Sequence, residues 1–423
     1  MKEWQLIPLA EARRRAVEAL GAAPPQLEEV ALRQALGRIA ACDMRSAEDN
    51  PPFDRSTVDG YAVWSEDVAT ASVAAPVALR VIGEVRMGRS CGGTIATGEA
   101  VRIPTGGMLP VGADAVLMQE YVISGEPGLI RACRSVGGGE NVIARGDDVV
   151  AGTVVLAAGS KIGVPDLGVL ASCGFAHLTV IKKPLVTVIT TGDEIIPPEA
   201  SPLPGQIRDV NSFTLAALAE LAGCEVIQAE RVADSKDSLT AVLQAALETS
   251  DLILVSGGSS VGDRDYTTVA VESLPGARTL FHGVALKPGK PTLLAMVGRT
   301  AVFGIPGHTV AAMTVFGEIV EPALAARQRQ TAGNGRFVVQ ARLGSALRPD
   351  AERDEIVRVR LEQTESGVVA RPLPAKSGLV TVMTRAHGTL YIPAGHTELR
   401  PGDLVEVQVL GERIGGNWRG ILR

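Results

Sequence analysis

The sequence predicts a multidomain chain. Its centre is a doubly wound parallel α/β domain, with a small barrel-like β module inserted upstream and an antiparallel β domain at the C-terminal end. Three observations predict this. From Lys183 onward, short apolar runs alternate with helix-patterned segments, which is the pattern of a parallel sheet covered on both faces. Residues 77–135 and 336–410 carry short period-two runs broken by Gly and Pro, which is the pattern of small β modules. A length of 423 residues suits two to four domains at about 100–200 residues each.

Composition narrows the class. The hydrophobic fraction is 46% but aromatics are only 3%, so the cores must be built from Val, Leu, Ile and Ala. The net charge is -6 with both signs scattered, which argues against a nucleic-acid binder but leaves room for a local basic anion site. Five cysteines (Cys42, Cys91, Cys133, Cys173, Cys224) lie far apart with no CxxC, so neither a zinc knuckle nor a disulfide framework is indicated. The N-terminus lacks a signal-peptide core, and no uninterrupted apolar run reaches a membrane span. A cytoplasmic protein with reduced thiols, not bound to membrane, is expected.

In chain order, residues 7–20 have helical spacing (Ile7, Leu9, Ala12, Ala16, Leu20), ended by Pro24-Pro25. The double proline Pro51-Pro52 opens a polar loop carrying Asp54, Ser56, Thr57 and Asp59. In the β module that follows, Thr105 stands in a glycine turn, where it can bind a phosphate or simply serve the turn. The linker 136–148 ends on Asp147 and Asp148. The module therefore reads as an insertion. A discontinuous outer, dimerisation domain spans 1–49 plus 145–182, the inserted β domain 50–144, the α/β domain 183–328 and the last β domain 336–412. An outer domain made of separate segments suits an elongated molecule.

Within the α/β domain the expected strands are Leu185–Ile189, Glu225–Ala229, Leu252–Val255, Thr279–Ala285 and Thr300–Phe303. The expected helices are Asn211–Ala222, with Asn211 or Ser212 as cap, Asp234–Leu247 and Val310–Ala326. In such a sheet the ligand crevice lies at the carboxyl ends of the strands. The loops there are TTGDE (190–194), SGGSSVGDRD (256–265), LKPGKP (286–291) and GIPGH (304–308). They collect Glu194, Asp263 and Asp265 with Lys287 and Lys290, and Asp234 joins from the start of a helix. Acids beside lysines, with glycine amides between them, fit an anionic substrate plus Mg²⁺, which takes oxygen ligands. Glu194, Asp234 and Asp265 are the candidate metal ligands. Lys287 and Lys290 are the candidate anion charges. Gly257, Gly258, Ser260 and Gly262 form the candidate phosphate cradle. Asp263 is assigned a supporting place. No Cys/His pair or GK[ST] loop is present, and covalent catalysis is not suggested.

The motifs PPFDRSTVDGYAV, RIPTGG with GADAVLMQE, ARGDD, TTGDE, SGGSSVGDRDY, LKPGKP and FGIPGH occur in an order and spacing that resemble molybdopterin molybdenumtransferase. The C-terminal part of gephyrin is similar. The resemblance covers nearly the whole chain. It implies insertion of molybdate into adenylylated molybdopterin with release of AMP and Mg²⁺ assisting. It also implies an elongated four-domain homodimer with a cleft shared between subunits. Possible partners are a molybdopterin adenylyltransferase and acceptor molybdoenzymes. By position, the resemblance adds Asp59, Thr105 and Asp148 to the catalytic set. It adds Pro306, Gly307 and, more loosely, Arg358 and Ser377 to the binding set. One departure stands out: the family commonly reads PGNP where this chain has Pro306-Gly307-His308-Thr309. A tungsten-inserting paralogue therefore stays open as an alternative, as does a non-catalytic molybdopterin-binding scaffold. An adenylyltransferase is the enzyme rival, but it is normally a small single-domain chain with a different glycine loop.

Overall fold

The computed structural model describes residues 6–89, 93–258, 266–331, 337–365, 367–374 and 378–410. At its centre is a six-stranded sheet in the order Glu225–Val232, Leu185–Thr191, Leu252–Ser256, Thr300–Ile305, Leu293–Val297, Ala277–His282. The first four strands are mutually parallel. Leu293–Val297 is antiparallel to both of its neighbours, so Ala277–His282 again runs with the first four. Five strand ends therefore reach one edge. The three inner parallel strands, Leu185–Thr191, Leu252–Ser256 and Thr300–Ile305, are buried along nearly their whole length because helices cover both faces, whereas the edge strand Glu225–Val232 is mostly exposed.

The two faces carry separate cores. On one face Asn211–Leu221 and the long helix Thr309–Arg327 pack Leu215, Ala219, Val315, Phe316 and Leu324 against Val188, Leu254 and Phe303. On the other, Lys236–Thr249 and Tyr266–Glu272 bring Leu239, Leu243 and Val271 onto Ile189, Ile253 and Val302. Thr309–Arg327 is long and apolar enough to cross a bilayer by composition alone, yet its apolar residues belong to the first core. Its apolar run is not continuous, since Glu318 and Glu321 interrupt it.

The described part of the segment 1–49, residues 6–49, grouped above with the outer segment, divides in the structure. Helix Leu9–Gly21 places Leu9, Ala12, Ala16 and Leu20 in the α/β core, and Arg13 reaches across to Glu318. The remainder stays outside: Leu27–Ala31 pairs with His177–Ile181, and Met44–Arg45 with Val154–Leu156. The period of the first helix predicted its buried face, but a stripe of small apolar residues does not name its partner.

The insertion is a barrel-like six-stranded sheet in the order Ala115–Met118, Gly60–Val63, Glu99–Ile103, Val77–Glu84, Leu129–Ala132, Val122–Ser124. It joins the outer segment through paired chain crossings, with Asn50 donating to Val149 at 2.7 Å and Arg55–Ser56 against Val142–Ile143. The last domain closes on itself. Asp354–Thr364, Gly367–Pro372, Val338–Leu343, Leu404–Val409 and Gly388–Ile392 form a ring, because Gly388–Ile392 pairs back onto Asp354–Thr364. Closure removes the exposed edges that short strands otherwise leave. Leu286–Lys287, from the α/β chain, joins that ring in parallel with Asp354 and Glu355. Two domains thus share one sheet at the expected cleft.

Candidate active site

The strand ends of the α/β sheet are tied together by buried polar groups. Strand Leu185–Thr191 ends on Thr190 and Thr191, both buried. Thr190 Oγ1 donates to Asp209 Oδ2 at 3.1 Å, and Thr191 Oγ1 donates to Asp234 Oδ1 at 2.5 Å. The Asp234 N–H donates to Asp193 Oδ1 at 3.1 Å. Asp234 is thus held beside the 190–194 loop by two bonds. It does not cap the next helix, because that helix begins at Lys236 and Ser235 caps it by accepting from Ser238 N. Glu194 is exposed on the same loop, and its carboxylate folds back over Gly192.

The next strand, Leu252–Ser256, turns into Gly257 and Gly258 with φ of 105° and 62°. A Cβ on Gly257 would lie 2.1 Å from the Thr191 carbonyl oxygen, and one on Gly258 2.7 Å from Thr267 Oγ1. Both positions therefore require glycine, by conformation and by space. Thr267 Oγ1 donates to the Gly257 carbonyl at 2.9 Å and fixes the turn. Ser260, Gly262, Asp263 and Asp265 lie outside the described residues, as does Ser377.

Asn211, expected as a helix cap, is a clamp instead. The first turn is capped by Asp209, whose Oδ1 accepts from Ser212 N at 3.1 Å. Asn211 Nδ2 donates to Ser256 Oγ and to the Gly307 carbonyl, each at 2.7 Å, which joins two strand-end loops. Pro306 is buried and Gly307 exposed just before the long helix, whose N-terminal flank is His308.

Lys287 and Lys290 flank the hairpin formed where the Lys290 carbonyl accepts from the Val284 and Thr292 amides. The Lys287 ammonium lies 3.2 Å from Glu355 of the last domain, so its charge is shared with a buried carboxylate. Glu355 also accepts from the Asp350 amide at 3.1 Å. Arg358 follows on the same strand and is 6% exposed. Its Nη2 donates to Val310 O at 3.2 Å and Thr314 Oγ1 at 2.6 Å, and among the described residues its Nη1 has no hydrogen-bond partner. Burial pushes the Arg358 pKa down to about 10. A buried cation with an open donor, beside a helix N-terminus, favours an anion.

The β module supplies a second constellation. Asp59 Oδ1 accepts from the Thr105 amide at 2.7 Å and from its hydroxyl at 3.0 Å. These two bonds hold the Asp59 pKa below the usual carboxylate value. Asp148 accepts from Asn50 at 3.1 Å, at the junction of insertion and outer segment. Among the described residues, no hydrogen bond or ion pair within the chain links Asp59, Thr105 or Asp148 to the α/β edge. Asn211, Glu355 and Thr191 were not singled out from sequence as site residues. Asn211 carried a signal, a polar residue after a strand-end loop, but capping accounted for it.

A doubly wound domain with an anion-favouring edge, flanked by an inserted β module and a closed β ring, defines a class of multidomain α/β proteins. Residues 7–174 match the MoeA N-terminal region (domain I and II), 187–326 the probable molybdopterin binding domain, and 340–410 the MoeA C-terminal region (domain IV). The molybdopterin molybdenumtransferase of Staphylococcus aureus (strain MSSA476) is 33% identical over 405 residues, covering 95% of each chain. That of Staphylococcus epidermidis (strain ATCC 12228 / FDA PCI 1200) is 33% identical over 377 residues, covering 89% of each. The solved molybdopterin biosynthesis moeA protein of Pyrococcus horikoshii OT3 superposes with a TM-score of 0.81 at 30% identity, covering 96% of this chain and 100% of the other. The chain belongs to the molybdopterin molybdenumtransferase family of molybdenum cofactor biosynthesis.

Proposed function

We propose that the chain inserts molybdate into adenylylated molybdopterin, releasing AMP, at the carboxyl edge of the α/β sheet. The observation that carries this is the convergence of the Thr191–Asp234 bond, the Gly257-Gly258 turn and the Asn211–Gly307 clamp at that edge. Glycine amides there would take phosphate oxygens. Lys287, Lys290 and Arg358 would hold oxyanion charge, and Ser377 would add a hydroxyl. Attack of water on the adenylyl phosphoanhydride breaks its P–O–P bond and frees AMP, and the two dithiolene sulfurs displace oxo groups of molybdate, which leave as water with the thiol protons, molybdenum staying Mo(VI). No protein nucleophile is needed.

The carboxylate oxygens of Glu194 and Asp234 suit Mg²⁺ chemically, with Asp265 as the third proposed ligand. Among the described residues no three such groups come together, so substrate phosphate and Asp265 would have to complete the site. When bound, Mg²⁺ would neutralise phosphate charge. The chain's own part is to hold Asp234 through Thr191 and Asp193.

Asp59, Thr105 and Asp148 would reach the α/β edge of a partner subunit in a cytoplasmic homodimer. What supports this is that they bond to no α/β residue of their own chain among those described. A molybdopterin adenylyltransferase would supply the substrate, and acceptor molybdoenzymes would take the product. The test is incubation with adenylylated molybdopterin, molybdate and Mg²⁺. AMP release with formation of active cofactor is expected, and absence of both sinks the reading. Replacing molybdate by tungstate in the same assay reads the oxyanion preference at the His308-Thr309 departure.

A further inference from the structure

We propose that Asn211 is a positioning residue for this reaction: it sets the Gly307–His308 peptide so that its N–H faces the anionic substrate. The inference rests on the reading above. Asn211 is 7% exposed, and its Nδ2 donates to Ser256 Oγ and the Gly307 carbonyl, each at 2.7 Å. In a trans peptide the C=O and the following N–H point in opposite directions. A Gly307 carbonyl drawn inward by Asn211 therefore turns the His308 N–H outward, at the head of the helix Thr309–Arg327.

Three further facts separate this from a core hydrogen bond. Among the described residues Asn211 Oδ1 has no partner, although Asn211 is buried. A buried amide retained with one end unsatisfied calls for an explanation beyond packing. Its amino group is the working end, because it spans two loops at once. Gly307 is exposed and lies outside the left-handed region, and a Cβ there would meet Gly257 Cα at an ordinary 3.6 Å. Neither backbone conformation nor packing requires glycine at 307. What the missing side chain leaves is an open peptide face. Arg358 converges on the same helix from the last domain, bonded to Val310 O and Thr314 Oγ1 with Nη1 open. An oriented amide and a buried cation at one helix head favour an oxyanion there.

The test compares wild type with Asn211→Asp and Asn211→Ser in the full chain. Asp keeps the shape but cannot donate to Gly307, and Ser is uncharged and too short to reach it. Steady-state AMP release should show KM for molybdate raised about ten-fold with kcat changed far less, as loss of one hydrogen bond to a charged ligand implies. Calorimetric titration with molybdate alone should weaken by the same factor. If Asn211→Asp fails to fold, Asn211→Ser decides. A folded variant with a lowered melting temperature and unchanged molybdate affinity overturns the proposal, since that is the signature of a purely structural residue. Failure of the wild type to release AMP sinks the proposed function instead, and the titration then decides this inference by itself.

Discussion

Two of the three six-stranded sheets, the α/β sheet and the C-terminal ring, treat buried polar groups in opposite ways. The α/β sheet keeps its own: Thr187 meets Ser250 at 2.8 Å near the strand starts, and Thr191 meets Asp234 at 2.5 Å at the strand ends. The C-terminal ring has two buried charged residues among those described, Glu355 and Arg358, and sends both across the domain boundary. One reaches Lys287 and the other the first turns of Thr309–Arg327. The difference teaches that the ring meets the α/β domain through charge, while the α/β domain ties its strand ends through its own side chains, with Asn211 Oδ1 the exception among the described residues.

The sharpest break in that comparison is Arg358→Met. Replacing an unpaired buried cation by a similar apolar volume is expected to leave stability unchanged or raise it. Catalytic efficiency should fall about a hundred-fold if Arg358 holds the oxyanion. Thermal melting and AMP release together check this, and a parallel loss of both would make Arg358 a structural tie. Next is Lys287→Met, which leaves the buried Glu355 carboxylate with the Asp350 amide as its remaining bond. A loss of about 1–3 kcal/mol is expected in urea unfolding. Adding Glu355→Gln should restore part of it.

A smaller effect compares the two ends of one sheet. Thr187→Val and Thr191→Val should each cost about 1 kcal/mol of stability. Only Thr191→Val should also lower turnover, about ten-fold, because it frees Asp234 at the proposed catalytic edge. Equal turnover in the two variants would mean that the Asp234 bond is packing alone.

The smallest effect lies in the inserted sheet. The Asp59 pKa is lowered by the Thr105 amide and hydroxyl. Because its folded value lies below its unfolded one, Asp59 contributes stability above about pH 3.9. That contribution is lost as pH falls through the folded value. Asp59→Asn should therefore lower stability slightly at neutral pH and flatten the acid limb, so that variant and wild type converge at low pH in unfolding curves taken across pH.

Much of the frame was legible in the sequence, because the period of a strand or helix is a local property. The alternation after Lys183 gave the α/β domain, and Gly257 and Gly258 announced a turn that only glycine can make. The polar partners were less legible. In Asp209-Val210-Asn211-Ser212 several residues can cap a helix, and local chemistry does not say that Asp209 takes the role and frees Asn211. Asp234 was placed at a helix start for the same reason, while Ser235 makes the cap.

By itself, the sequence determined the layered α/β centre, the β modules around it and the loops that share its carboxyl edge. Parallel strand geometry forces those loops together whatever their side chains. Only the tertiary structure decided which charges are free. Lys287 finds Glu355 68 residues away, and Asn211 finds Gly307 96 residues away. Contacts at such separations are set by how the domains pack, and no local period encodes them.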